Sequence, residues 1–321
     1  LKEIYDILGE FKTRRGERFA LATLVSAEGS SYRRPGARML ICTNGKAVGS
    51  LSAGCLEEEV VLRACEVLHT GEPTIMTFDT RRRFGCAGKI DIFIERVSEK
   101  FLTDLAAHLD ARRSCLAVTT FKGSSVGEAG SFPSQNEIVC ENWEANGFPY
   151  SPFMQEIHPP IRLLIFGDGP DNAPIRKLTE LLGWETIEIV DPNAISIETD
   201  EWTAAIVKSH NYGRDFVALQ RLLPLNLRYV GLIGPPKRRD QLLADLLDIG
   251  IAITAGFFAP AGIDLGAETP EEISLAIVSE IQRVFAGGSG ESLRERKISI
   301  HGTTVRKGGH AELDGLKPSS L

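Results

Sequence analysis

In the opening stretch LKEIYDILGEFKTRRG the apolar positions Ile4, Ile7, Leu8 and Phe11 share one helical face. The pattern then shortens. FALATLVSAEGSS reads as a strand running into a loop, and ARMLICTNGKAVGSL as a hairpin with its tight turn at Asn44-Gly45. Helical spacing returns at Leu56, Val60, Ala64 and Leu68, and Gly71 followed by Pro73 ends that run. Strands are predicted at PTIMTF and KIDIFIERV, a helix at KFLTDLAAHL and a strand at SCLAVTTF. Together these form a mixed α/β unit over residues 1–121.

Residues 122–160 are rich in Gly, Ser and Pro and weakly periodic, the character of a linker, with EIVCENW as a short strand or arm within it. From Ile161 short apolar strands alternate with amphipathic helices: IRLLIF, APIRKLTELLG, WETIEIVD, AAIVKS, GRDFVALQRLL, RYVGLIG, KRRDQLLADLLDIG, IAITAG and TPEEISLAIVSEIQRVFA. That alternation predicts a Rossmann-like, doubly wound parallel sheet over residues 161–286, so the fold class is α/β with a smaller mixed domain in front. Residues 287–321 are Gly- and charge-rich with little to bury, and are expected to form a flexible tail.

Composition narrows the function classes. The 321 residues are 43% hydrophobic and 25% charged, enough to bury a core in each domain. The net charge of -7 argues against a general nucleic-acid binder, which needs a basic surface. No signal segment and no apolar run of about 18 residues is present, so a cytoplasmic location without membrane contact is expected. The six cysteines, at 42, 55, 65, 86, 115 and 140, include no CxxC pair, which removes zinc-ribbon spacing, and a cytosolic chain of this size is not expected to carry a disulfide framework.

Candidate chemistry falls in both domains. In GSLSAGCLEEEV, Cys55 follows Gly54 at a helix start, where the dipole favours the thiolate and Glu57, Glu58 and Glu59 oppose it. In TRRRFGCAGKIDIF, Cys86 follows Gly85 with three arginines just upstream. EGSSYRRPGARM offers Arg33, Arg34 and Arg38 with no acid between Gly29 and Met39, a set suited to an oxyanion. Two thiols in thin loops near arginines, Cys55 and Cys86, imply a pocket for a ligand both soft and anionic. Cys42, Cys65 and Cys115 read as small buried hydrophobes.

In the second domain GDGPDN sits between a strand and a helix. Gly167 would allow the tight turn, Gly169 a close phosphate approach, and Asp191 a ribose contact. Asn172 stands at the third glycine position and Pro170 removes one N–H, so an NAD(P) site and a crevice for another ligand both stay open. His210, Asn211, Lys237, Arg238 and Arg239 follow other strands and would face the same crevice. No nucleophile–base signature occurs, so no catalytic residue is assigned.

The stretches GSSYRRPGARM, GSLSAGCLEEEV, FGCAGKIDIFIE, LLIFGDGPDNAPI, SHNYGRD, YVGLIGPPKRR and APAGIDLGAETPEEISLAIVSEI, in this order, resemble the XdhC/CoxI family of xanthine dehydrogenase accessory factors. The resemblance covers nearly the whole of residues 1–286. It implies a small N-terminal domain, a C-terminal Rossmann domain and a homodimer. It also implies a role: binding molybdenum cofactor (molybdopterin), its phosphate on Arg33, Arg34 and Arg38 and its metal facing Cys55 and Cys86, supporting its sulfuration by a cysteine desulfurase, and inserting it into a xanthine-dehydrogenase-type molybdenum hydroxylase. Such a protein is a chaperone rather than a turnover enzyme. Two rival readings are an NAD(P)-dependent oxidoreductase using the Rossmann domain and a scaffold that only binds proteins. Ala53, Ala87 and Asn172 depart from the family pattern.

Overall fold

The first strand of the protein alternates its side chains between two separate cores. In this computed structural model, which describes residues 2–29, 31–79, 88–120, 135–139, 152–194 and 198–295, strand β1 (Phe19–Gly29) sends Phe19 and Leu21 to one side and Ala20, Ala22 and Leu24 to the other. Period-two alternation with both faces apolar requires cover on both faces. Helices α1 (Lys2–Thr13) and α3 (Glu99–Asp110) cover the first face, α1 with the predicted residues Ile4, Ile7, Leu8 and Phe11. Helix α2 (Glu57–Thr70) covers the second with Val60, Ala64, Val67 and Leu68, and stops at Gly71, whose φ of 80° is left-handed.

The sheet itself is antiparallel in the order β3-β2-β1-β5-β4. The predicted hairpin is β2 (Arg38–Cys42) and β3 (Ala47–Gly49), paired Leu40 to Val48, with Gly45 at the turn. Strands β4 (Thr74–Asp79) and β5 (Gly88–Arg96) complete it. Strand β6 (Cys115–Thr120) lies in a separate three-stranded sheet between β7 (Gln135–Val139) and β8 (Phe153–Ile157). Both partners come from the stretch that reads as a linker; β7 overlaps the first three residues of the strand or arm expected at EIVCENW, whose other residues lie outside the described ones, and β8 gives no local periodic signal.

The second domain is a fully parallel sheet in the order β10-β9-β11-β12-β13. Its strands are β9 (Arg162–Phe166), β10 (Glu185–Ile189), β11 (Thr203–Val207), β12 (Tyr229–Leu232) and β13 (Phe257–Phe258). Helices α5 (Tyr212–Leu222) and α6 (Pro236–Asp248) pack on one face with Ala218, Leu219, Leu222, Leu242 and Leu246. Helices α4 (Asn172–Leu182) and α7 (Pro270–Ala286) cover the other with Ile175, Ile277, Ile281 and Phe285. The sheet is doubly wound, as the alternation predicts. Helix α7 starts with a capping box between Thr269 and Glu272. One element differs from expectation: the last strand is not IAITAG but the two residues that follow it. A Cβ on Gly256 would lie 2.3 Å from the Leu227 carbonyl, so the chain passes too close there for any other residue.

The chain leaves β9 to β10 on one side and returns to β11 on the other. The strand order therefore reverses between β9 and β11, which places the ligand crevice of this sheet type at the carboxyl ends of those two strands.

Candidate functional site

The loop from Ser50 to Leu56 joins β3 to α2 and has few side chains with which to hold itself. Glu57, the first residue of α2, holds it instead. Its Oε1 accepts from the Leu51 and Ser52 N–H groups at 3.1 and 2.8 Å and from Ser50 Oγ at 3.2 Å. Its Oε2 accepts from Ser52 Oγ at 2.7 Å and from the Leu56 N–H at 3.1 Å. Burial pushes this carboxyl's pKa up, but the hydrogen bonds from Ser52 and Leu56 outweigh it and bring the pKa down to about 2. The acid that reads as one of three repelling the thiolate is the residue that shapes its loop.

Cys55 is exposed at the tip of that loop, after Gly54 in a left-handed conformation with φ 105°. Its thiol points to Ser52 Oγ at 3.5 Å, and that hydroxyl donates in turn to Glu57. A soft, accessible sulfur thus stands on a backbone fixed by five charge-assisted hydrogen bonds.

The three predicted arginines separate. Arg33 forms a forked pair with Glu3, Nη2 to Oε2 at 2.6 Å and Nη1 to Oε1 at 3.3 Å, and Glu3 Oε1 also accepts the Ser50 N–H at 2.6 Å. The first turn of α1 therefore ties Arg33 to the start of the thiol loop. Arg34 is exposed. Arg38 corrects the expectation of a surface anion loop: it is 1% exposed and faces inward on β2, donating to Gln155 of β8. Burial lowers its pKa to about 10 despite the pull of Glu95. Gly85 and Cys86 lie outside the described residues, as do the arginines before them. Among the described residues no cluster of three or more His, Cys, Asp or Glu could hold a metal ion.

The Rossmann turn is built as expected at its first glycine. Gly167 has φ 143°, and a Cβ there would come within 2.9 Å of the Lys208 carbonyl at the end of β11. Asn172, at the third glycine position, is buried and donates to the Gly167 carbonyl and to Glu188 Oε2, both at 2.9 Å. Its Oδ1 accepts from Lys208 Nζ at 2.6 Å. Asp191 is exposed and bonds its own turn, accepting from the Asn193 N–H at 2.9 Å. His210 is exposed with φ 55°. Asn211 caps α5 by accepting from the Arg214 N–H at 3.0 Å. Arg238 pairs with the buried Asp215, Nη2 to Oδ2 at 3.3 Å, while Arg239 donates to the Ala259 carbonyl at 3.2 Å and Lys237 stays exposed.

Both halves of the chain match known family models. Residues 13–79 match the XdhC and CoxI family and residues 163–281 the XdhC Rossmann domain. Across 319 aligned residues the chain is 30% identical to a protein of Bacillus subtilis (strain 168) named as a probable xanthine dehydrogenase subunit, covering 83% of this chain and 92% of that one. The chain belongs to the XdhC/CoxI family.

Further XdhC/CoxI likeness is spread over the same span. The molybdenum cofactor insertion chaperone PaoD of Escherichia coli (strain K12) is 25% identical, with 84% of each chain covered. A crystal structure of a xanthine dehydrogenase from Bacillus halodurans superposes with a TM-score of 0.74 over 92% of this chain and 98% of that one, at 23% identity, which speaks for the fold alone. The XdhC/CoxI match at 13–79 includes Arg33, Cys55 and Glu57 and stops before Cys86. Sequence reasoning missed the roles of Glu57, Lys208, Asp171 and Asp215. For Glu57 a signal existed, the acid directly following a loop of small residues. A lysine ending an apolar strand carries no local mark of burial.

Proposed function

We propose that this chain is a carrier for molybdenum cofactor, which it holds through its N-terminal domain and passes to a xanthine-dehydrogenase-type molybdenum hydroxylase. The observation that carries the reading is Cys55, an exposed thiol on a loop whose backbone Glu57 fixes, within the stretch matching the XdhC and CoxI family. A thiol is a soft donor suited to the molybdenum–dithiolene end of the cargo. Arg33, about a third exposed and linked to the same loop through Glu3, and Arg34 supply guanidinium groups for the pterin phosphate. The kinship with a protein named as an insertion chaperone supports the same direction. Cys86 is proposed as a second sulfur contact. Sulfuration by a cysteine desulfurase while the cargo is held, a homodimeric state and a cytoplasmic location belong to the same proposal.

The test is the pterin content of the chain purified from a bacterial host that makes molybdopterin, measured by fluorescence after oxidative release. Wild type is expected to carry pterin and Cys55→Ala to lose most of it. Pterin absent from wild type, or retained in full by Cys55→Ala, would refute the reading.

A further inference from the structure

The carrier reading leaves the turn after β9 unused. A dinucleotide's pyrophosphate at such a turn needs free N–H groups at the helix start, room over the second glycine and no competing negative charge. Asp171 is the residue before α4, yet its side chain makes no cap hydrogen bond. The carboxylate folds back over the turn instead: a Cβ on Gly169 would lie 2.3 Å from Asp171 Oδ1. That same oxygen is 2.6 Å from Lys208 Nζ. Lys208, 1% exposed, enters from the end of β11, on the opposite wall of the crevice, and its second acceptor is Asn172 Oδ1. Asp168 adds another carboxylate on the turn, within 3.6 Å of Arg214 in the first turn of α5. The position over the second glycine is thus filled by the protein's own anion, with a buried ammonium as its counter-charge.

We infer that Asp171 acts as a tethered internal anion that occupies the phosphate position of the Gly167 turn and keeps dinucleotides out. The mechanism is both steric and electrostatic. An arriving phosphate meets an oxygen where its own would lie, and the carboxylates of Asp171 and Asp168 repel its charge. Asn172 locks the arrangement, because it bonds the turn, β10 and Lys208 at once. Lys208 is then a cation that an external phosphate would engage only once Asp171 no longer neutralises it. This inference stands independently of the carrier reading.

Calorimetric titration of the full chain with NAD, NADP and ADP tests it, on wild type, Asp171→Asn, Asp171→Ala and the double variant Asp171→Asn/Lys208→Met. Wild type is expected to show no saturable binding. Both single variants should gain affinity by about tenfold or more, and the double variant should lose that gain. Asp171→Asn keeps an acceptor for Lys208, so it is the variant expected to retain the fold, and thermal melting checks this. The pterin content of the single variants should match wild type, which separates this test from that of the carrier. Binding by wild type within about twofold of the variants would overturn the inference, as would a folded Asp171→Asn with no gain.

Discussion

Arg112 grips Asp200 with two hydrogen bonds, Nε to Oδ2 at 2.6 Å and Nη2 to Oδ1 at 3.1 Å, and so joins the end of α3 to the segment that leads into β11. The same guanidinium donates to Glu185 Oε2 at 3.2 Å and to the Pro160 carbonyl at 3.1 Å. One side chain, 13% exposed, therefore pins the two domains together. Removing it leaves the Asp200 carboxylate, among the described residues, with Thr203 and the Trp202 N–H. Arg112→Ala is expected to cost about 2–4 kcal/mol, read from urea unfolding.

The same pair predicts a pH dependence. Burial pushes the Asp200 carboxyl up, but the Arg112 and Thr203 hydrogen bonds win and hold it below the ordinary carboxylate value. A carboxyl lowered in the folded state adds stability that is full above its unfolded value, about 3.9, and is lost as pH falls through the lower folded one. Wild type should therefore lose stability on acidification below about pH 4, and Arg112→Ala should lose less over the same interval.

Glu57→Gln keeps the shape of the side chain and removes its charge, so five donors lose a carboxylate acceptor. The expected cost is about 1–3 kcal/mol, with the thiol loop loosened. The folded value near 2 places the loss of this grip in wild type between about pH 4.5 and pH 2. The rate at which a thiol reagent modifies Cys55 at neutral pH reports the loosening directly, and an unchanged rate would show that the loop does not need the charge.

Cys55→Ala should change stability by no more than about 0.5 kcal/mol, because the side chain is exposed and bears no packing. Equal melting temperatures for the two proteins would establish that a fall in bound pterin reflects lost contact with the cargo. A large drop in melting temperature would instead reveal a structural part for the sulfur.

Asn172→Gly restores the glycine of the dinucleotide fingerprint yet is expected to be harmful. The side chain is 2% exposed and serves the Gly167 carbonyl, Glu188 and Lys208 together. Its removal leaves the buried ammonium with Asp171 alone and puts a glycine at a helix start, at about 2–4 kcal/mol by chemical denaturation.

Local pattern was enough to place α1, the β2–β3 hairpin, α2 and the alternation of the second domain, since each of these shows its buried face within a few residues. Pairings between distant segments were not legible. Nothing in FMQEI says that it will lie beside β6, and nothing in RRPGARM says that one of its three arginines turns inward to meet Gln155. Composition points to the thiol loop but not to its mainstay, because a glutamate in the first helical turn ordinarily interacts with the dipole rather than with the loop before it. The closed crevice was half visible. Asn172 in a glycine's place was a warning, whereas Lys208 and Asp171 meet across 37 residues of sequence and only the fold brings them together.

Glu57 reaches the chain before α2 through amide groups and serine hydroxyls, and the sulfur at its crest takes no part in that grip beyond one weak contact with Ser52. The crest is therefore a pedestal whose footing does not depend on what stands on it. Loaded and empty chains should therefore share one loop backbone there, and differ in whether a reagent can still reach the sulfur.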